Sequence, residues 1–206
     1  MRAEVQHAVA FADGAGGGNP CPVVFGADDW TDAQLQAAAA AFGHETCFVL
    51  DPTADEALVR LRYFVPNHEM EMCVHATVAA AVVLGLPDDA RVQTPLGVLA
   101  VGHGDGARPS SSSSPRGSRR RWPTPSASWT RWGHRSRRWP ARRGPSRRSR
   151  PRDGWRAFTI AQGRAMGRPS LIEAQARREG GRVVATRVGG TAAQVGGREP
   201  LATPGA

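Results

Sequence analysis

The sequence predicts an α+β fold in which a small sheet curls round one buried helix. Residues 76–86 form an apolar run of 11 residues without a polar face. A helix that is apolar on every side must be covered by other structure, and this run is too short to span a bilayer. Alternating residues at 4–11 and 57–65 predict strands that supply the cover. The sequence therefore predicts a lobe with a helical core.

A glycine-rich loop, residues 13–20, separates the first predicted strand from a second strand at 21–25. Its glycines let the backbone approach a ligand closely, and the Asn19 side chain offers both a donor and an acceptor. A plain turn explains the same residues, so the loop alone does not establish a binding site. The loop lacks a Gly-Lys-Ser/Thr ending, so a nucleotide-binding P-loop is not expected.

A helix is predicted from the capping box Thr31-Asp32-Ala33-Gln34 to Phe42, and Gly43 is expected to end it. Glu45 follows and precedes an apolar strand at 47–50. A carboxylate at the entrance to a buried strand is a candidate for general acid/base chemistry. The alternative is that Glu45 is a solvated turn residue.

The strand at 57–65 presents different side chains on its two sides, and Pro66 with Asn67 ends it. One side carries Val59, Leu61 and Tyr63, and the other carries Arg60, Arg62 and Phe64. Beyond the apolar helix, the patterns predict strands at residues 91–94, 98–101, 158–163, 170–176, 182–188 and 191–195, and a frayed tail after Glu199.

Ionisable side chains cluster just before the apolar helix, where Cys73, His75 and Glu69 lie. The free N–H groups and dipole of a helix N-terminus favour anions such as a carboxylate. The same field lowers a thiol pKa and keeps imidazole neutral. The sequence thus predicts the rim of an active site, although a buried Cys73 and a capping His75 would fit the same pattern.

The segment from 108 to 152 differs in kind from the rest of the chain. It holds 15 arginines and no acidic residue, whereas the remainder carries 12 basic and 18 acidic residues. It also contains no Leu, Ile, Val, Met or Phe. Such a segment cannot bury enough apolar surface to offset its chain entropy, so we predict disorder there.

Two explanations fit this Arg/Ser/Pro/Trp-rich segment. Its tryptophans interleave with arginines, a mixture that could bind single-stranded nucleic acid through phosphate contacts and base stacking. The favoured explanation is a compensated frameshift, because GC-rich DNA translated in the wrong frame yields this amino-acid composition. A nucleic-acid partner is therefore not the expected one.

Cysteine usage and the N-terminal residues indicate the compartment. Cys21, Cys47 and Cys73 are three in number and widely spaced, which argues for reduced thiols rather than a disulfide framework. No Cys-x2-Cys pair is present, so a metal site is not expected. No secretory signal is evident, and a cytoplasmic protein without a membrane partner is expected.

The segment Glu69-x3-Cys73-x-His75-Ala76-Thr77 resembles the Glu-x3-Cys-Gly-His-Ala-Thr signature of the PhzF-like isomerases, relatives of diaminopimelate epimerase. Three further segments match that family in order: Gly18-Asn19-Pro20, Glu45-Thr46-x-Phe48 and Gln162-Gly163-x2-Met166-Gly167-Arg168-Pro169-Ser170. The resemblance implies an epimerase-like first lobe at 1–105, a low-complexity segment at 106–154, remnant strands of a second lobe at 155–198, and a tail at 199–206.

The resemblance also implies a function, namely cofactor-independent proton transfer on a small carboxylate-bearing metabolite. Glu45 would be the main acid/base, His75 would orient or share the proton, and Cys73 would serve as a second, thiol base as in the epimerases. The substrate would be bound by Gly18, Asn19, Glu69 and Thr77. Proteins of this family commonly form homodimers, so the resemblance also implies a homodimer.

One departure from the family pattern affects activity. In the family, a second lobe faces the first with its own central helix, opened by an Asp-x-Ala-Thr-Gly-Ser type motif. No such motif occurs between Gly102 and Phe158, and Val74 replaces the signature glycine. We therefore expect an impaired isomerase, with a non-catalytic binding protein whose Arg/Trp-rich segment contacts nucleic acid as the alternative.

Overall fold

The computed structural model describes residues 2–103, 127–132 and 154–205. In these ranges the chain forms an 11-stranded sheet, two α-helices and a short 3-10 turn at Arg164–Met166. The helices are α1 (Asp32–Phe42) and α2 (Val74–Leu84). The strands are β1 (Ala3–Ala10), β2 (Asn19–Phe25), β3 (Thr46–Leu50), β4 (Val59–Val65), β5 (His68–Met70), β6 (Ala90–Thr94), β7 (Gly97–His103), β8 (Ala127–Trp132), β9 (Gly154–Gln162), β10 (Ser170–Glu179) and β11 (Arg182–Leu201).

The sheet closes on itself through its first and last strands. Its order is β1-β2-β3-β4-β6-β7-β8-β11-β10-β9, and β11 also pairs with β1. Eight strands therefore form a closed circuit of hydrogen-bonded neighbours, with β10 and β9 continuing beyond it. The pairs β2–β3 and β4–β6 are parallel, and the other neighbouring pairs are antiparallel.

Helix α2 packs against strands from several parts of the circuit, namely β1, β2, β3, β8 and β11. Its residues 76–81 and Val83 are buried, because no face of the helix is polar. The helix ends at Gly85, which adopts a left-handed conformation at φ 61°. It begins at Val74, two residues earlier than predicted, so His75 lies inside the first turn rather than before it.

Helix α1 covers the opposite face of the sheet. Its predicted capping box is confirmed: the Thr31 hydroxyl accepts from the Gln34 backbone N–H, and the Gln34 side chain accepts from the Thr31 N–H. Gly43 ends the helix at φ 68°, as predicted. The second core under α1 contains Leu35, Ala38, Val24, Phe48 and Phe64. The sheet therefore lies between two helices, one on each face.

The structure corrects several predictions about strands. Residues 127–132 lie in the segment predicted to be disordered, yet they form β8, because β7 and β11 offer hydrogen-bonding partners on both edges. The rest of the predicted disorder lies outside the described residues. The strands predicted at 182–188 and 191–195 are one strand, β11. It reaches Leu201 and pairs with β1, so the predicted fraying begins too early.

Strand β9 forms the edge of the sheet, and all its residues are exposed or half-buried. Phe158 and Ile160 on this strand are 50% and 44% exposed. In the described ranges, neither helix has the length and apolarity that a membrane span requires.

Candidate active site

Glu45 and His75 meet at the N-terminal end of α2. Glu45 comes directly before β3, two residues ahead of Cys47, which packs into the core around α2. His75 lies in the first turn of that helix. Its Nε2 atom is 3.9 Å from Oε2 of Glu45, and the two side chains are 15% and 43% exposed. The predicted convergence of this carboxylate and imidazole is confirmed, whereas their catalytic roles stay predictions.

Cys73 completes a short chain of polar groups. It is the N-cap residue of α2, it is buried, and its Sγ atom lies 3.1 Å from Nδ1 of His75. Burial raises the pKa of the Cys73 thiol to about 11, with the Glu45 carboxylate adding to the rise and the Ala76 and His75 backbone N–H groups opposing it. The sequence predicted a lowered thiol pKa, but burial outweighs the field of the helix N-terminus.

The surroundings of His75 favour the neutral form of its imidazole. Burial lowers its pKa, because the charged form is poorly solvated in this pocket, and the neighbouring Glu45 carboxylate opposes that effect. The expectation of a neutral imidazole therefore agrees with the structure, although burial rather than the helix field is the leading cause.

The lowered pKa of His75 predicts a pH-dependent stability. The unfolded chain takes up a proton at His75 below about pH 6.5, whereas the folded state resists protonation. The free energy of unfolding should thus fall as the pH decreases below about 6.5, and less steeply in His75→Gln. Urea titrations of both proteins at several pH values measure this slope. His68→Gln, a change at an exposed histidine, is the comparison variant; equal slopes in wild type and His75→Gln would contradict the prediction.

Thr77 lies beneath the site rather than in it, which corrects its predicted role in substrate binding. Its side chain is fully buried, and its hydroxyl donates to the Cys73 carbonyl at 2.8 Å. The Tyr63 hydroxyl on β4 lies 2.8 Å from the same oxygen, and Tyr63 is also fully buried. The pair anchors the first turn of α2 to the sheet. The sequence showed that Tyr63 points to one side of its strand, but not which helical residue it meets.

Gly18 lies where two segments of the family signature meet. Its backbone N–H donates to the Pro169 carbonyl at 2.9 Å, and the Asp13 N–H donates to the same oxygen at 3.1 Å. Gly18 is buried with φ at 93°, a conformation that favours glycine. The glycine-rich loop is therefore held by the turn after β9.

Strand register places Asn19 on the same face and at the same end of the sheet as Glu45. Asn19 pairs with Ala10 and Cys21 with Ala8, and both Ala8 and Cys21 belong to the core around α2. The parallel register pairs Val23 with Cys47, and two residues earlier it brings Cys21 alongside Glu45. Burial raises the pKa of the Cys21 thiol, and the Glu45 charge adds to the rise. Asn19, half-buried, lies two residues beyond Cys21 along β2.

Glu69 is not brought to this site, contrary to the prediction. It pairs with Phe64 across β4 and β5, so it shares the face covered by α1. Arg62 donates to both carboxylate oxygens of Glu69, with Nε–Oε1 and Nη2–Oε2 distances of 2.7 and 2.6 Å. Arg62 Nη1 also donates to Asp32 at 2.7 Å. Glu69 therefore ties β5 to β4 on the face away from α2.

Metal-ligating side chains are also not brought together in the described ranges. No group of three or more His, Cys, Asp or Glu residues there is arranged to hold an ion. Cys21, Cys47 and Cys73 are buried free thiols.

Comparison with known proteins assigns the chain to a family. The model of the PhzC-PhzF family, described as phenazine biosynthesis-like protein, matches residues 8–118. The chain belongs to this family. The uncharacterized isomerase YddE of Escherichia coli K12 is 45% identical to this chain over 101 residues. The aligned region is 47% of this chain and 33% of YddE.

Other curated relatives of this PhzC-PhzF member match a similar length of the chain at similar identity. The uncharacterized isomerase YfhB of Bacillus subtilis is 40% identical over 106 residues, which are 48% of this chain and 36% of YfhB. The trans-2,3-dihydro-3-hydroxyanthranilate isomerase of Pseudomonas chlororaphis is 35% identical over 96 residues, 44% of this chain and 34% of that enzyme. The chain thus spans about a third of the length of these relatives.

Solved structures share the fold of this PhzC-PhzF member. A PhzF family protein from Bacillus anthracis has a TM-score of 0.68 at 15% identity, covering 98% of this chain and 100% of that chain. A hydroxyproline epimerase from Agrobacterium vitis, with trans-4-hydroxy-L-proline bound, has a TM-score of 0.52 at 9% identity and covers 98% of this chain and 94% of that chain. At these identities the likeness is one of fold.

Proposed function

We propose that this chain is built for cofactor-independent proton transfer on a small carboxylate-bearing metabolite, as an isomerisation or an epimerisation. The observation that carries the proposal is the approach of Glu45 and His75 to 3.9 Å at the N-terminus of α2. Glu45 is 43% exposed, so a substrate can reach its carboxylate. The names of the isomerase relatives support the same reaction class.

In this mechanism Glu45 removes a proton from a carbon next to the substrate carboxylate. The electron pair of the broken C–H bond passes into an enolate-like intermediate, and protonated Glu45 returns the proton to a second carbon on the same face. In an epimerisation, a second acid on the opposite face supplies the proton, and Glu45 keeps the one that it removed. No oxidant or reductant is needed. The charge that develops on the substrate requires hydrogen-bond donors close by.

His75 supplies one of these donors, and Cys73 fixes its orientation. A thiol with a pKa of about 11 is protonated at neutral pH, and in this proposal its S–H donates to Nδ1 of the neutral imidazole, 3.1 Å away. The proton of His75 then lies on Nε2, which faces Glu45 across a gap too long for a direct hydrogen bond. A substrate atom that lies to one side of this pair can be within hydrogen-bond distance of both. The raised pKa argues against Cys73 as a thiolate base, and the proposal gives it a positioning role.

The substrate carboxylate would bind opposite His75, at the start of β2. The half-buried Asn19 side chain offers an amide donor on the face shared with Glu45, and Gly18, whose N–H is bonded to the Pro169 carbonyl, holds the loop that precedes it. Glu69 and Thr77 are not part of the proposed site, because their polar atoms are engaged elsewhere.

We expect the activity to be impaired. The sequence contains no Asp-x-Ala-Thr-Gly-Ser motif to form the opposing wall, and Val74 adds bulk in the first turn of α2. A displacement of about 1 Å in an active site can lower the rate about 100-fold, and loss of a whole wall should cost more.

Hydrogen exchange in D2O tests the proposal and gives a prediction for Glu45. Purified protein should turn over trans-2,3-dihydro-3-hydroxyanthranilate or trans-4-hydroxy-L-proline slowly or not at all. It should nevertheless catalyse exchange of a carbon-bound proton that NMR can follow. Glu45→Gln should reduce this exchange at least ~100-fold, because the base is lost.

The matched control for this exchange experiment is Glu71→Gln, an exposed carboxylate two residues before Cys73, which should exchange at the wild-type rate. Exchange that persists in Glu45→Gln, or its absence with both compounds, would contradict the proposed function. Fast turnover by the wild type that Glu45→Gln abolishes would instead overturn only the expected impairment.

The family resemblance also leads us to propose a cytoplasmic homodimer. Three buried free thiols suit a reducing compartment. Sedimentation equilibrium of the purified chain would measure its oligomeric state.

A further inference from the structure

Strand β4 has a gap along one of its edges. Strand β3 pairs with residues 60–64 of β4 and occupies one edge. On the other edge, β6 pairs with Val59 and Arg60, and β5 pairs with residues 63–65. Within the described ranges, no strand pairs with Leu61 or Arg62 on that edge. The two neighbours therefore part and leave an opening between them.

A cavity of about 320 Å³ lies at this opening. It is lined by Arg60, Leu61, Arg62, Glu69, Gln93, Thr94 and Pro95. Arg62, Phe64 and Glu69 share the face of the sheet that α1 covers, and Arg60 lies two residues from Arg62 on the same side of β4. Glu45 and His75 lie on the other face, so the cavity is separate from the candidate active site.

Most polar groups of the cavity are already engaged. Arg62 bonds to Glu69 and Asp32. The Gln93 side-chain oxygen accepts from the backbone N–H groups of Thr53 and Ala54, and its amide nitrogen donates to the Thr53 hydroxyl. These bonds leave Arg60 as the group able to hold a ligand.

Arg60 carries a positive charge without a protein partner in the described part of the chain. No ion pair or hydrogen bond there involves its guanidinium, and its Nε atom is buried without a hydrogen-bond partner. A buried N–H without an acceptor is unfavourable, and a charged donor makes strong hydrogen bonds to carboxylates. Nε itself is shielded from solvent, so a ligand in the cavity would accept from the terminal Nη groups of Arg60.

We propose that this cavity binds a small monocarboxylate with a short apolar body, whose carboxylate accepts from Arg60. Glu69 and Asp32 both pair with Arg62, so Arg60 is the cation of this lining that has no carboxylate partner in the described ranges, and one carboxylate matches it. A dianion such as phosphate would be repelled by Glu69. Pro95 offers a contact for a hydrocarbon chain, whereas the Leu61 side chain is buried in the core around α2.

Titration of the 15N-labelled protein with sodium butyrate at constant ionic strength tests this site. The Arg60 Nε–H signal, identified by its loss in Arg60→Lys, should shift and saturate, together with the backbone amide signals of Leu61 and Arg62. Arg60→Gln should weaken butyrate binding about tenfold or more, as read from the two amides. Arg60→Lys keeps the charge and should bind with intermediate affinity.

Two control variants and one comparison anion test whether butyrate binding is specific to Arg60 and to a carboxylate. Arg91→Gln, an exposed arginine on β6, should bind butyrate as the wild type does. Glu45→Gln should also bind normally, which separates this site from the proposed active site. Inorganic phosphate should bind more weakly than butyrate. Shifts that do not saturate, stronger binding of phosphate, or wild-type affinity in Arg60→Gln would overturn the proposal.

Discussion

Replacing Phe48 with alanine should lower the free energy of unfolding by about 3–5 kcal/mol. Phe48 is fully buried in the core between the sheet and α1. Its ring lies edge-on to Phe64 with centroids 5.4 Å apart, and it is tilted against Trp30 at 6.5 Å. Truncation removes these contacts and leaves a cavity between the sheet and α1, which the backbones of these two elements cannot close.

Urea-induced unfolding monitored by circular dichroism measures the effect of Phe48→Ala. The matched control is Phe158→Ala, the same truncation at a half-exposed position of edge strand β9. It should lower stability by less than about 1 kcal/mol, because surface changes cost little. Similar losses in the two variants would show that Phe48 is not a core anchor.

The second large effect is expected from Gly18→Ala, which should lower the free energy of unfolding by about 2–4 kcal/mol. Gly18 has a φ of 93°, where an alanine is strained. A Cβ atom there would also collide with the Val9 side chain and lie 2.9 Å from the Ala10 carbonyl oxygen. The loop would have to leave the Pro169 carbonyl that Gly18 contacts.

Gly14→Ala separates backbone strain from collision. Gly14 has a similar φ of 87°, but a Cβ atom there meets nothing within 4 Å. Thermal unfolding should therefore show a loss of about 1–2 kcal/mol for Gly14→Ala, from strain alone. If Gly18→Ala is no more destabilising than Gly14→Ala, the packing of this loop against β1 is not important for stability.

Local signals in the sequence predicted both helices and the meeting of Glu45 with His75. The capping box at Thr31 and the glycine at 43 mark the two ends of α1 through their own backbone conformations. The absence of a polar face on α2 requires cover on every side. The family signature then placed Glu45 and His75 together, although they are 30 residues apart in the chain.

Features that depend on distant pairing could not be predicted in this way. The burial of Thr77 depends on Tyr63, and the position of Glu69 depends on Arg62 and on the unpredicted strand β5. The single strand β11 exists because its second half finds β1. In each case the assembled sheet determines which residue is the partner. Residue periodicity and spacing in the sequence therefore do not identify that partner.

The closed circuit of strands has a consequence for biosynthesis. Ala3 pairs with Leu201, and Ala10 pairs with Ala192. Both edges of β1 can therefore be hydrogen-bonded only after almost the whole chain has been synthesised. Contacts between such distant residues form slowly, because a long loop must close first. Until residues 192–201 leave the ribosome, β1 presents an open edge, a known template for aggregation. A ribosome-associated chaperone that binds extended segments would protect the nascent chain during that interval.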